Sequence, residues 1–214
     1  MTAAAPIVLV DFDGTLMNSA ADLVEITKSV LSRWLIDVPV PAIEALLGLP
    51  TAERFRHHGL PEHELDEAVR LFAHLHAECR YRLSVPLAGA ETWLAATPGL
   101  TKWAVSASPW TAVSAGLAKH GLDGFFERVV AAPPGGGFDK VAALAPERAR
   151  FAPGMCWFVG DQEGDIAAGR SVGARVALML TARNAHLASR ADRILTSFES
   201  LLEDPLELAW TPSR

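Results

Sequence analysis

Cysteine is scarce in this chain: Cys79 and Cys156 are the only two among 214 residues. Two thiols fall far short of a disulfide framework, and neither belongs to the Cys-x-x-Cys pair that marks zinc knuckles and redox motifs. This usage predicts a reducing cytoplasm. Basic residues are also in deficit. Nineteen Lys and Arg stand against twenty-five Asp and Glu, a formal net charge of −6, so nothing draws the chain to nucleic acid or anionic lipid, and any phosphate must be held locally. Only four lysines occur, at positions 28, 102, 119 and 140. Long apolar runs are missing too: Ile7-Val-Leu-Val10 stops at Asp11, and no stretch approaches the roughly 20 residues of a membrane span. The first residues lack the basic start of a signal peptide. No membrane and no nucleic-acid partner are therefore expected. There is no internal repeat, and the one low-complexity stretch, Pro133-Pro-Gly-Gly-Gly137, has the size of a loop.

What the chain does have is apolar bulk. Half its residues are hydrophobic and 21% are charged, enough to bury a sizeable core and to exclude disorder as the main state. The length favours one domain, or one domain with a smaller insert. Ile7 to Val10 shows no alternation and reads as a strand buried on both faces, followed at once by the turn-rich Asp-Phe-Asp-Gly-Thr. From about Ser19 to Arg82 the periodicity is helical. Leu23, Ile26, Val30, Leu31 and Trp34 follow an N-cap at Ser19, a short helix starts at Pro41 and ends at Gly48-Leu-Pro50, and one long helix runs from Glu62 to Arg82. After Pro86, helices over 88–97, 110–119, 139–149 and 163–172 alternate with strands over 103–106, 128–131, 156–159 and 175–178. A strand at 193–195 and a helix from Ser197 close the series. Such alternation means right-handed βαβ units. The predicted fold is α/β: a doubly wound parallel sheet from residues 1–17 and 85–214, interrupted after its first strand by an all-helical cap over 18–84.

In an open parallel sheet, ligands collect at the carboxyl ends of the strands, near the switch point. Strand one delivers Asp11 and Asp13 there, the next delivers Ser106, and a later one delivers Gly160-Asp161 with Asp165 four residues on. Four carboxylates from two strands are thus expected to converge. They would repel one another unless a hard cation with oxygen ligands, most simply Mg2+, neutralised them. Asp11, fixed at a strand end, suits a nucleophile. Asp13, two residues on, suits a general acid that later acts as base. Gly14 lets the backbone turn tightly, and the loop amides around Phe12, Gly14 and Thr15 could cradle a phosphoryl oxygen.

The segment Asp11-Phe-Asp-Gly-Thr-Leu16 resembles the first motif of the haloacid dehalogenase superfamily, in its phosphatase branch. Ser106 in Val-Ser-Ala-Ser108 resembles the second motif, and Gly160-Asp-Gln-Glu-Gly-Asp165 the fourth. Lys140 is the best candidate for the third, by elimination among four lysines and by its place before the last motif, although it precedes Val141 and not proline. A helical cap after motif one is the arrangement of the subgroup with phosphoglycolate phosphatases and β-phosphoglucomutases. The resemblance implies that Asp11 attacks phosphorus to form an aspartyl phosphate and that Asp13 protonates the leaving group and then activates water. It implies Mg2+ held by Asp11, the Asp13 carbonyl and Asp161, with Asp165 a ligand directly or through water. Ser106 and the amide of Ala107 would hold phosphate oxygens, and Lys140 would balance charge. Asp13 argues against dehalogenation, and Lys28, the one cap lysine, is badly placed for phosphonatase chemistry.

Arg54, Arg56, His57 and His58 follow the Gly48-Leu-Pro50 turn, where caps of this type present substrate-selecting residues, and Arg54 is taken as substrate-binding. Five of seven histidines fall between His57 and His76, but only His76 and Cys79 share a helix face. A wet helical face is expected there, not a zinc site. Trp103 and Trp110 are expected to pack in the core or at its edge. The resulting expectation is a Mg2+-dependent phosphatase of a small phosphorylated metabolite, cytoplasmic, monomeric or homodimeric. A phosphomutase and a catalytically silent binding protein are the alternatives.

Overall fold

The computed structural model describes residues 6–133, 137–151 and 154–206. Most of the loop expected over 133–137 and the first five residues lie outside them. Ile7–Val10 (β1) is buried at all four positions. Successive side chains of a strand face opposite ways, and both faces are covered here. Val8 and Val10 join an apolar cluster with Phe12, Trp93 and Phe198, while Ile7 and Leu9 join another with Trp103, Phe151 and Phe158. That double cover is why the run shows no alternation.

The chain then leaves the sheet. Met17–Asn18 (β2) is followed by four helices, Ala20–Ser32 (α1), Val40–Leu46 (α2), Thr51–His57 (α3) and Leu65–Glu78 (α4), and the return passes through Val85–Pro86 (β3). β2 and β3 pair antiparallel, Met17 with Pro86 and Asn18 with Val85. The helices pack on a core of their own around Ile26, Leu31, Phe55, Leu65 and Phe72, where each buried aromatic contributes roughly 1.5–3 kcal/mol. The single long helix expected over 62–82 is shorter. Glu62–Glu64 is a 3-10 turn after Pro61, and α4 stops at Glu78. Arg80 and Tyr81 then adopt left-handed backbone, φ 52° and 48°, which costs a non-glycine residue roughly 1–2 kcal/mol. No helix can continue through them.

The rest of the chain builds the sheet. Ala90–Ala96 (α5) leads to Thr101–Pro109 (β4), then Trp110–Lys119 (α6), Arg128–Ala132 (β5), Lys140–Leu144 (α7), Cys156–Gly160 (β6), Glu163–Ser171 (α8), Arg175–Met179 (β7), Arg193–Leu195 (β8) and Ser200–Glu203 (α9). The six-stranded sheet has the order β5-β4-β1-β6-β7-β8, and all its pairs are parallel. The doubly wound α/β architecture is therefore as expected. α7 is shorter than the helix expected over 139–149, because Pro146 lacks an amide and its ring crowds the carbonyl four residues back; a 3-10 turn, Ala145–Arg150, replaces it. β4 runs three residues beyond Ser106, with a register shift against β5 between Ser106 and Pro109. Such bulges re-aim side chains beside sites. Among the described residues no helix is long and apolar enough to cross a membrane.

Candidate active site

Val10 lies level with Ala104 of β4 and Val159 of β6, so the residues that follow on all three strands emerge together where the strand order reverses. Asp11 is the first past β1, and its amide still donates to the Val159 carbonyl at 2.8 Å. Opposite stands Lys140, the first residue of α7, which Asp139 caps by accepting from the amide of Val141 at 2.8 Å. The Lys140 Nζ lies 2.5 Å from Asp11 Oδ1 and 2.6 Å from Asp165 Oδ1. Asp165 uses its other oxygen to accept from the amides of Asp161 (3.0 Å) and Gln162 (2.9 Å) at the start of α8. Asp161 accepts from Thr15 Oγ1 at 3.3 Å and from Gln162 Nε2 at 2.7 Å.

Oxygens of Asp11, Asp161 and Asp165 all lie within 4.8 Å of one another, and all three residues are buried. Burial first, and then the neighbouring Asp165, holds the Asp11 carboxyl well above the usual range, with Lys140 working against both. The same two causes push Asp161 up to about 7. Burial works to lower Lys140, but the carboxylates of Asp11 and Asp165 outweigh it and keep the ammonium protonated. One ammonium against three carboxylates leaves two negative charges in a dry place.

Asp13 does not join them. Four carboxylates were expected to converge; three do. The loop curls back on itself, with the Gly14 amide on the Met17 carbonyl (2.8 Å) and the Met17 amide on the Phe12 carbonyl (2.8 Å), so the strand's alternation ends at Asp11. The Asp13 carboxylate turns instead toward β4 and the returning linker. Its Oδ2 accepts from Ser108 Oγ (2.5 Å), Tyr81 Oη (3.0 Å) and Ser106 Oγ (3.5 Å), while Oδ1 is buried without a partner. Gly14 is in left-handed backbone, φ 79°, and a Cβ there would come within 2.7 Å of Asp161. Only glycine permits that approach.

A cavity of about 350 Å³ lies between sheet and helices, with Asp11, Asp13, Gly14, Ser106, Ala107, Lys140 and Asp161 on one side and Leu23, Leu47, Arg54, Phe72 and His76 on the other. Arg54 is buried, stacks its guanidinium 4.7 Å over Phe72 and donates to Thr51 Oγ1 at 3.0 Å. Its Nε is buried without a partner. Burial lowers its pKa to about 10, against the pull of Asp13, so it stays a cation. Of the loop amides expected to cradle a ligand, that of Gly14 is taken by the Met17 carbonyl, and Phe12 and Thr15 offer theirs alone. The Phe12 side chain sits in the core against Tyr81, and Thr15 is fully buried with its hydroxyl on Asp161; only their backbone remains for a ligand. Arg56 pairs with Glu62 at 2.8 Å in solvent. His76 does not lie on a wet face: it is buried, with Nε2 2.8 Å from Tyr81 Oη. Trp103 is in the core as expected, but Trp110 is 52% exposed, since it opens α6 on the solvent side.

A model of the haloacid dehalogenase-like hydrolase family matches residues 8–179. The chain belongs to this family. A phosphoglycolate phosphatase of Cupriavidus necator is 29% identical over 232 residues, covering 94% of each chain. Among solved structures, a haloacid dehalogenase-like hydrolase from Streptococcus pneumoniae superposes with a TM-score of 0.80 at 17% identity, over 95% of this chain and 99% of that one. A Haemophilus somnus protein named as a predicted phosphoglycolate phosphatase gives 0.74 at 23%, over 95% and 99%. Likeness at these identities bears on the fold.

In this hydrolase the donor set suits a hard divalent cation. The ligands at hand are oxygens, the uncompensated charge is two, and the raised carboxyls of Asp11 and Asp161 record how poorly the site tolerates that charge alone. Sequence reasoning missed Ser108, Gln162, His76 and Tyr81. Ser108 follows Ser106 by two and Gln162 adjoins Asp161, so proximity to a motif could have raised them. Nothing in the sequence marks Tyr81 or His76.

Proposed function

We propose that this hydrolase is a Mg2+-dependent phosphatase of a small phosphorylated metabolite, working through an aspartyl phosphate on Asp11. The observation that carries the reading is Asp11 itself: buried at the end of β1, paired with Lys140, beside two further carboxylates and open to the cavity. Asp11, Asp161 and the Asp13 carbonyl would hold Mg2+, with Asp165 beside them, and the ion would supply charge neutralisation to the phosphoryl oxygens.

The chain's own groups do the rest. A carboxylate oxygen of Asp11 attacks phosphorus as the bond to the leaving oxygen breaks, and Asp13 gives that oxygen a proton. Asp13, now ionised, takes a proton from the water that cleaves the aspartyl phosphate, and inorganic phosphate departs. Ser106 and the Ala107 amide cradle phosphoryl oxygens, and Lys140 keeps the Asp11 side chain aimed while offsetting charge. The helical insert acts as a cap that excludes water. Arg54, a buried cation on the cap side, selects a leaving group that carries its own anion, and the cavity suits a compact one. The relative named as a phosphoglycolate phosphatase supports a substrate of that kind. In this reading the enzyme is cytoplasmic, monomeric or homodimeric, with no nucleic-acid or membrane partner. Phosphate release with Mg2+ across phosphoglycolate, sugar phosphates and nucleotides tests it. Asp11→Asn is expected to abolish turnover and leave the thermal melt in place; more than a few per cent of residual activity rejects the nucleophile.

A further inference from the structure

Tyr81 is the one tyrosine in the chain, and the phosphatase reading gives it no task. We propose that Tyr81 is a positioning residue that fixes the Asp13 carboxylate for proton transfer to the leaving group, and that His76 of the helical insert holds Tyr81 in place. The inference rests on that reading of Asp13. Tyr81 is completely buried and acts through its hydroxyl on Asp13 Oδ2, 3.0 Å away. A hydroxyl has one proton to give. With that proton on Asp13, the phenol oxygen must accept from His76 Nε2 at 2.8 Å. Burial lowers the His76 pKa, and the neutral ring then carries its proton on Nε2.

The packing aims the ring. Phe12, between the two aspartates, packs against Tyr81 with ring centroids 4.9 Å apart and planes tilted by 58°. α6 presents Gly116 to both rings, where a Cβ would come within 2.8 Å of Phe12 and 3.2 Å of Tyr81. The backbone is pinned as well. Lys119 Nζ donates to the carbonyls of Tyr81 (3.1 Å), Arg82 (2.7 Å) and Ser84 (3.2 Å), and Asp22 of α1 accepts from the Leu83 amide and the Ser84 hydroxyl. Left-handed backbone at Arg80 and Tyr81 is the strain that turns the phenol inward, and such strain collects at sites that use it. Tyr81, Ser108 and Ser106 all engage Asp13 Oδ2, which leaves Oδ1 without a protein partner. Oδ1 is thus the atom that delivers the proton to the leaving oxygen, as the electron pair of the P–O bond moves onto that oxygen.

The test compares leaving groups in the full-length enzyme with Mg2+. An alkoxide needs the proton, whereas p-nitrophenolate leaves without it. Tyr81→Phe is expected to lower kcat/KM for 2-phosphoglycolate about tenfold more than for p-nitrophenyl phosphate, the scale of one lost hydrogen bond to a charged group. His76→Gln should show the same selectivity more weakly, and it serves if Tyr81→Phe fails to fold. Losses equal for the two substrates, or none for the alkyl phosphate, overturn the proposal and leave the phosphatase reading standing. A wild-type enzyme inactive on both substrates overturns both.

Discussion

Lys140→Met removes one charge and keeps most of the volume. The side chain is 11% exposed, and its partners Asp11 and Asp165 are 4% and 1% exposed, so the variant buries three carboxylates with no cation among them. Breaking a buried pair from one side costs about 3–5 kcal/mol. One ammonium serves two carboxylates here, which places the cost near the upper end, about 4–5 kcal/mol. At about 2–4 °C per kcal/mol for a chain of this size, the melt falls by about 8–20 °C in neutral buffer without metal. The cost depends on pH, with a definite sign. Asp11 and Asp161 are already held above the unfolded carboxylate range, and losing Lys140 raises them further. The folded variant then holds protons that the unfolded chain has released, so its stability is present at about pH 4 and is lost as pH rises through the raised values. Near pH 4.5 the gap to wild type narrows to that of the two missing hydrogen bonds, about 1–3 kcal/mol. Urea unfolding in EDTA at pH 4.5 and pH 8, followed by tryptophan fluorescence, measures both gaps. Equal gaps at the two pH values, or one below about 1 kcal/mol at pH 8, would refute the account.

The same sign governs metal binding. Asp161, lifted to about 7 by burial and Asp165, must lose its proton to take Mg2+, so 5 mM Mg2+ (about this concentration in a standard melt) should raise the Tm clearly at pH 8 and little at pH 5. Equal shifts would count against a carboxylate site. Arg54→Gln should raise KM for 2-phosphoglycolate about tenfold or more, the scale of a charged hydrogen bond, with a smaller change for p-nitrophenyl phosphate, whose leaving group carries no carboxylate. Equal effects would move the anion contact elsewhere.

The parts of the site that obey chain-local rules were legible in the sequence. An apolar run without alternation means a strand covered on both faces, so Asp11 had to emerge at its end, and Asp161 follows for the same reason on β6. Lys140 was reached through scarcity, and it does meet Asp11. Failures came where a few residues depart from regular backbone. Asp13 lines the same cavity as Asp11, as expected, but the curl through Gly14 ends the alternation and sends its carboxylate to Ser108 and Tyr81 and away from the cluster with Asp161 and Asp165. Ser108 reaches it through a bulge that no propensity announces. His76 looked like one more histidine on a polar helix, because its burial is decided by Tyr81, which arrives by way of two left-handed residues. These are tertiary facts, and local pattern carries no trace of them.

The pairing of Met17–Asn18 with Val85–Pro86 also bears on how this chain can change. Its departure and its return are hydrogen-bonded neighbours, so the helical segment hangs from the sheet as a long hairpin loop hangs from its two strands. Directly opposed residues of an antiparallel pair lie about 4.5–5.5 Å apart, and a tight turn spans that gap. Shortening the segment, or exchanging it for another helical one, therefore leaves the order of the six parallel strands untouched. Residues 17 and 86 mark where such an exchange can be cut, for evolution and for a designer alike. What the enzyme accepts can then vary with the segment, as long as the incoming one returns a side chain where Tyr81 holds Asp13.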